Sequence, residues 1–119
     1  MTFRKPPKKV KLDITFGTGE LKGQQGIDSL HVGPYVVKNQ TFAMIADEVG
    51  QVFDEIPFEG ILGLAFPSMS AHGVQPFFDN VMSQDVLSGH NEISFFMGKD
   101  PKLPSAVFFG GVSSPPAAS

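Results

Sequence analysis

The first regular feature of the chain is an alternation of apolar and polar residues between positions 10 and 16. Apolar side chains occupy the even positions and polar ones the odd positions, which is the period of a half-buried β-strand. Residues 17–19 then form a predicted turn, and residues 21–30 form the returning strand of a hairpin with a glycine-rich tip. Gly23 and Gly26 lie within this returning strand, where glycine indicates a bulge or a close backbone contact.

Short strands also dominate the prediction for the remainder of the chain. A Gly33-Pro34 turn precedes two short strands, at 36–37 and 41–45, on either side of residues 38–40. A polar loop is predicted at 47–50. Two further strands are predicted at 92–97 and 106–112, joined by a connection that contains two prolines.

One continuous apolar run, Ile61-Leu62-Gly63-Leu64, lies between Phe58 and Phe66-Pro67. An apolar run of this length, bounded by turn residues, predicts a fully buried strand. Gly63 within it indicates a place where another backbone passes closely. A core strand that merely tolerates a glycine is the alternative interpretation.

The sequence predicts one helix, near residues 76–87, because apolar residues recur on one face there. Proline favours the first helical position, Asp79 suits the positive end of the helix dipole, and Ser88-Gly89 ends the segment. The apolar face comprises Phe77, Phe78, Val81, Met82 and Val86. The predicted fold class is therefore all-β, with antiparallel strands and one short helix.

Composition is compatible with one domain: the chain has 119 residues, 41% of them hydrophobic, with 12 phenylalanines and no cysteine. No window approaches 18 consecutive apolar residues, so no membrane span is predicted. Residues 1–11 carry a charge of +5, whereas residues 12–119 carry four basic and 12 acidic residues, a net of −8. The acidic body and the lack of aromatic residues among the lysines argue against a nucleic-acid partner.

We therefore expect a disordered basic head over residues 1–11, a folded body over 12–114 and a flexible tail over 115–119. An arm that binds nucleic acid or anionic lipid is the alternative interpretation of the head. The basic start is followed by no apolar stretch, so no secretory signal peptide is predicted within the chain.

Three segments of the chain, in order, resemble segments of pepsin-like aspartic proteases. Residues 58–67 (FEGILGLAFP) resemble the Phe-Asp-Gly-Ile-Leu-Gly-Leu-Ala-Tyr-Pro run of the N-terminal lobe. Residues 14–20 (ITFGTGE) resemble the family's flap, usually Ile-Thr-Tyr-Gly-Thr-Gly-Ser, and residues 107–112 (VFFGGV) resemble the run that ends the lobe's core. The resemblance extends over residues 12–114 and implies part of a pepsin-like lobe.

The resemblance also implies which residues would contact a peptide substrate. Phe16 occupies the position of the flap tyrosine, and the backbones of the tip residues, Gly17, Thr18 and Gly19, would approach the peptide. Phe53, Phe58 and Ile61 match positions that wall the family's main apolar subsite. An ordinary hairpin turn and plain core packing are the alternative interpretations of these two groups.

The family's catalytic motifs are missing from these 119 residues. Each catalytic aspartate of the family lies in Asp-Thr-Gly or Asp-Ser-Gly, and the nearest match here, Asp28-Ser29, is followed by Leu30. The two carboxylates share one water, with one acting as base and the other as acid. No catalytic residue is therefore predicted in this chain, and we expect it to lack peptidase activity by itself.

Other candidate sites carry weak signals. The three histidines, at 31, 72 and 90, have no metal-ligand spacing, and the acidic pairs at 47–48 and 54–55 lack a calcium-loop pattern, so neither a metal nor a cofactor is predicted. Asn39-Gln40-Thr41 is a glycosylation sequon, which matters only if the protein enters the secretory path. An unmodified turn asparagine is the simpler interpretation.

Two functions fit these observations. The chain is interpreted as a segment of an endopeptidase whose partner is a peptide or protein substrate, or else as a non-catalytic peptide- or protein-binding module on the same fold. An incomplete core and exposed strand edges predict that the segment by itself self-associates, whereas a monodisperse soluble protein would favour the binding module. The compartment is unknown, since the resemblance points to a family that is mostly secretory, lysosomal or vacuolar.

Overall fold

The computed structural model describes residues 2–17, 19–55 and 58–111. These residues fall into two compact units, divided between Asn80 and Val81. The first unit contains a three-stranded antiparallel sheet with strand order β1-β2-β3. Its strands are β1 (Lys11–Phe16), β2 (Gly19–Val32) and β3 (Tyr35–Val49).

The predicted hairpin is confirmed. β1 and β2 pair antiparallel in an unbroken register, from Lys11 opposite Gln24 to Phe16 opposite Gly19. Gly17 at the tip has a φ of 60°, a backbone conformation that glycine adopts without a steric cost. The alternation of the first strand places Leu12 in the core, at 6% exposure. The local pattern therefore sufficed to predict this element.

β3 differs from its prediction. Two short strands and a polar loop at 47–50 were expected, but one strand runs from Tyr35 to Val49 and pairs with β2 along its length. Two register irregularities let so long a strand follow its twisted partner, one near Ala46 and one at Lys38 and Asn39. Asp47 and Glu48 remain exposed on the strand instead of leaving it as a loop.

Gly23 lies beside the first irregularity, and its predicted close backbone contact is confirmed. A Cβ atom at this position would lie 2.0 Å from the carbonyl oxygen of Met44. The register between β2 and β3 shifts at this point, between Lys22 and Gly23. Only glycine leaves room for the β3 backbone here.

The prediction of a buried strand at Ile61–Leu64 is wrong within this chain. Residues 58–66 form no strand, and Ile61, Leu62 and Leu64 are 50%, 46% and 37% exposed. A strand requires a neighbouring strand to satisfy its backbone groups, and no described strand pairs with this segment. Apart from the two adjacent residues, no atom of the described residues lies within 4 Å of a Cβ built on Gly63.

The helix α1 (Phe77–Ser83) is shorter than predicted. Asp79 lies in its first turn, as expected, and Phe77 and Val81 are 5% and 2% exposed. Beyond Ser83 the chain makes turns, because Asp85 and Ser88 both have a φ of 52°, which no right-handed helix accommodates. Met82, predicted on the buried face, is 40% exposed.

The second unit contains a two-stranded antiparallel sheet, β4 (Ile93–Phe96) and β5 (Ala106–Phe109). Both strands were predicted, although residue 112, the expected end of the last one, lies outside the described residues. Gly110 N–H donates to Glu92 C=O at 2.9 Å and extends the pairing by one bond. The fold class, antiparallel β-structure with one short helix, is confirmed.

Residues 2–4 lie along the part of β2 that β1 does not reach. Arg4 and Ile27 exchange two backbone hydrogen bonds, of 2.7 and 2.8 Å, and the Phe3 ring lies 6.3 Å from that of Phe42. The expected disorder of residues 1–11 and the domain boundaries stay predictions, and the tail at 115–119 lies outside the described residues.

Candidate functional site

An open, largely apolar cleft of about 620 Å³ lies in the first unit. Residues of the three strands line it together with residues of the segment 60–77, which contains two short 3₁₀ helices, Pro67–Met69 and Ala71–Gly73. In this segment Ile61, Leu62 and Phe66 are exposed, whereas Phe77 is buried. The larger apolar residues of the lining are Leu12, Ile14, Leu30, Val32, Phe42, Ile61, Leu62, Phe66, Met69 and Phe77.

The structure brings only part of the predicted site to this cleft. Ile61 lines it, whereas Phe58, 42% exposed, is not among the lining residues. Phe53 ends a short 3₁₀ helix, Gln51–Phe53, and is half-buried there. The predicted substrate contacts at Phe53, Phe58 and Ile61 stay predictions.

The other predicted contacts lie at the tip of the β1–β2 hairpin. Phe16 ends β1, Gly17 is an exposed turn residue, and Gly19 begins β2 and is buried. Thr18 lies outside the described residues. The hairpin therefore presents a glycine backbone at its tip, as a segment that lies over a ligand would require.

A buried pair of amides, Gln40 and Asn80, was not predicted from the sequence. Asn80 Nδ2 donates to Gln40 Oε1 at 2.7 Å, and the two residues are only 8% and 7% exposed. Gln40 Nε2 in turn donates to the carbonyl oxygens of Thr41, at 2.9 Å, and Gln75, at 3.2 Å. Gln40 thus connects β3 to residues 75–80, at one end of the cleft lining.

Replacing Gln40 by leucine should destabilise the chain by about 1–3 kcal/mol, because the Asn80 amide loses a buried acceptor. The double variant Gln40→Leu/Asn80→Leu should regain part of this loss, since neither polar partner then remains. Urea unfolding of the wild type, both single variants and the double variant measures the coupling. An unfolding midpoint for Gln40→Leu equal to that of the wild type would contradict this role.

Titratable groups provide little chemistry in the described residues. No group of three or more His, Cys, Asp or Glu side chains is close enough there to hold a metal ion. The one resolved perturbation is at Asp28, where the Thr2 hydroxyl and then the Ser29 N–H donate to Oδ1 and lower the pKa of the carboxyl. Asp28 is not among the cleft-lining residues.

Within the described residues, no helix combines the length and the apolar character that a membrane crossing requires.

The sequence of this chain is similar to those of several known proteins. The family described as eukaryotic aspartyl protease matches residues 2–116. Aspartic protease 3 of Toxoplasma gondii is 49% identical over 116 residues, and plasmepsin IX of Plasmodium falciparum is 42% identical over 116 residues. Pepsin A of Callithrix jacchus is 40% identical over 103 residues.

These matches cover most of this chain but a small part of each relative. They extend over 93% of the chain and 18% of the first two relatives, and over 87% of the chain and 26% of the pepsin. The chain therefore corresponds to a segment of a pepsin-like protease. The family match over residues 2–116, the antiparallel β-fold and the hairpin identify the chain as a member of the eukaryotic aspartyl protease family.

Proposed function

We propose that this chain contributes the covering hairpin and an apolar wall to the peptide-binding cleft of an aspartic endopeptidase. The observation that carries the proposal is the β1–β2 hairpin with its glycine tip, within a chain whose family match covers residues 2–116. The predicted contacts are residues 16–19 on the hairpin, with Phe53, Phe58 and Ile61 as the wall. The substrate class is a peptide or protein with an apolar side chain near the cleaved bond.

The reaction of the complete enzyme would be hydrolysis of a peptide bond by a water held between two carboxylates. One carboxylate takes a proton from the water while the other donates a proton to the substrate carbonyl, so the pair must share one proton. Neither motif occurs in these 119 residues, so both acids would belong to other parts of the enzyme. This chain would bind and orient the peptide and exclude water.

Phe16 gives this hairpin a chemical difference from the usual flap. A tyrosine at this position would offer a hydroxyl that can donate and accept a hydrogen bond. Phenylalanine retains the apolar ring but has no such group. The hairpin would therefore hold a peptide through apolar contact and through the backbone of residues 17–19.

A chimera tests this function. Residues 2–116, the range of the family match, would replace the corresponding segment of Toxoplasma aspartic protease 3, to which this chain is 49% identical over 116 residues. The chimera should cleave peptides with pepstatin sensitivity. Phe16→Ala in the chimera should lower kcat/KM by about 10-fold or more, because about 1.4 kcal/mol of binding corresponds to each tenfold.

Phe95→Ala is the matched control, since Phe95 is 59% exposed on β4 in the second unit and belongs to no predicted contact. It should leave kcat/KM unchanged. A folded chimera that cleaves no peptide, or that responds equally to both substitutions, would refute the proposed role of the hairpin.

The alternative proposal is a non-catalytic module that binds a peptide or protein. The open apolar cleft favours it, because a cleft of this kind can bind an apolar side chain without any catalytic group. β3, at one edge of the sheet, could also pair with an extended peptide. Peptide binding by the isolated chain, together with an inactive chimera, would favour this alternative.

A further inference from the structure

The sequon at Asn39-Gln40-Thr41 has a structural setting that its sequence alone does not indicate. Asn39 was expected in a turn between two short strands, but it lies within β3, an edge strand of the sheet. Its side chain is exposed and its φ is 57°. No other Asn-x-Ser/Thr occurs in the 119 residues, so any N-linked modification would be assigned to one position.

A β-bulge explains how neighbouring residues of the sequon come to have different environments. Lys38 and Asn39 together oppose the single residue Ser29, because Gln40 pairs with Asp28 and Val37 with Leu30. Bulges of this kind redirect side chains at the edge of a sheet. Here Asn39 is exposed while Gln40, the middle residue of the sequon, is 7% exposed and hydrogen-bonded to Asn80. The fold thus buries Gln40, the middle residue of the sequon, and leaves Asn39, the acceptor residue, exposed to solvent.

The hydrogen bond that Asn39 makes would survive the attachment of a glycan. Arg4 Nη2 donates to Asn39 Oδ1, and no described hydrogen bond uses Asn39 Nδ2. An N-glycosidic amide retains its carbonyl oxygen and loses only one of its two N–H groups. The modification would therefore remove no described contact of this side chain.

We propose that Asn39 Nδ2 is the acceptor of an N-linked oligosaccharide when the chain enters the secretory pathway. The donor is an oligosaccharide attached to a lipid diphosphate. A bond forms between Nδ2 and the anomeric carbon, the bond from that carbon to the diphosphate oxygen breaks, and the diphosphate leaves with the electron pair. One amide proton is released, and neither partner is oxidised or reduced. The glycan would cover the outer edge of the sheet near the bulge.

Translation of the whole chain behind a cleavable secretory signal, in a cell-free extract with endoplasmic-reticulum microsomes, tests the proposal. The wild type should give one slower-migrating band that a peptide N-glycosidase removes. Asn39→Gln and Thr41→Ala should each abolish this band, and Thr41→Ser should retain it because the sequon is intact. Gel mobility does not require the variants to fold.

A second measurement locates the modified residue. After the glycosidase treatment of the microsomal product, mass spectrometry should find the deamidated asparagine at position 39. A wild type that stays unshifted while a control glycoprotein is modified in the same microsomes would overturn the proposal. A shift that persists in Asn39→Gln would overturn it as well. Limited proteolysis examines the folded state, and the glycosylated and unmodified chains should give the same fragments. New cleavage sites within β3 of the glycosylated chain would contradict the inference that β3 accommodates a glycan on Asn39.

Discussion

Replacing Gly23 by alanine is expected to cost the chain more than about 3 kcal/mol of stability, the upper end of ordinary overpacking. The new methyl carbon would lie 2.0 Å from the Met44 carbonyl oxygen, far inside van der Waals contact. That oxygen belongs to the β3 backbone, so no side-chain rotation relieves the overlap. An overlap that separates β2 from β3 would also disrupt the part of the cleft that these two strands line. Circular dichroism during urea unfolding measures the loss.

Gly63→Ala provides the matched control, because it adds the same methyl group where the described part of the chain, apart from the adjacent residues, has no atom within 4 Å. The isolated chain should tolerate it, with an unfolding midpoint close to that of the wild type. Equal midpoints for Gly23→Ala and the wild type would show that β2 and β3 do not approach as described.

The isolated chain is expected to hydrolyse no peptide at any acidic pH. General acid and base catalysis by a positioned group contributes about 10²–10⁴-fold in rate, and the sequence contains neither of the two motifs that supply such groups in this family. The hairpin and wall can bind a peptide but can neither activate water nor protonate the leaving group. The measurement is cleavage of a fluorogenic peptide at several acidic pH values, with and without pepstatin.

The active chimera is the positive control for that assay, since it contains the same 115 residues, 2–116, within a complete enzyme. A contaminating protease of another catalytic class would be recognised by activity that pepstatin does not inhibit. Pepstatin-sensitive cleavage by the pure isolated chain would contradict the proposal that the acids lie elsewhere. It would also require carboxylates within residues 1–119 to act without the family's motifs.

Local pattern predicted the elements whose stabilising contacts lie close in sequence. The β1–β2 hairpin followed from alternation and from the glycines at its tip, because its two strands are adjacent in sequence. β4 and β5 were also predicted as strands that follow one another along the chain, and the structure pairs them. The family resemblance, based on short motifs, predicted the membership that the match over residues 2–116 established.

Elements that depend on distant partners could not be predicted in this way. Ile61–Leu64 has the apolar content of a buried strand, but burial depends on a neighbour that the described chain does not provide. The continuity of β3 depends on two bulges, and the positive φ of Asn39 depends on the pairing with β2. Gln40 was assigned to a turn, since only tertiary contacts reveal an amide that is buried against Asn80. The residues of the predicted site are separated as well. Ile61 lines the cleft, whereas the predicted contacts of the hairpin lie at the tip of the hairpin.

The cleft has a direct consequence for the isolated chain. Leu62 and Phe66 line it and are 46% and 80% exposed, so apolar surface remains accessible to other molecules. We propose that in the complete enzyme another part of the polypeptide covers this surface. In its absence, a second copy of the chain is the available cover, by apolar contact or by pairing at the β3 edge.

Sedimentation velocity over a range of concentrations measures this consequence. The wild-type chain should self-associate, and Leu62→Gln/Phe66→Gln should shift it towards the monomer while the sheet signal in circular dichroism is retained. Met97→Gln, which changes a residue that is 75% exposed in the second unit, should have no such effect. The contradicting result is a sharp monomer peak for the wild type at every concentration, together with one cooperative unfolding transition. It would show that Leu62 and Phe66 need no further cover, and it would contradict the interpretation of the chain as part of a larger lobe.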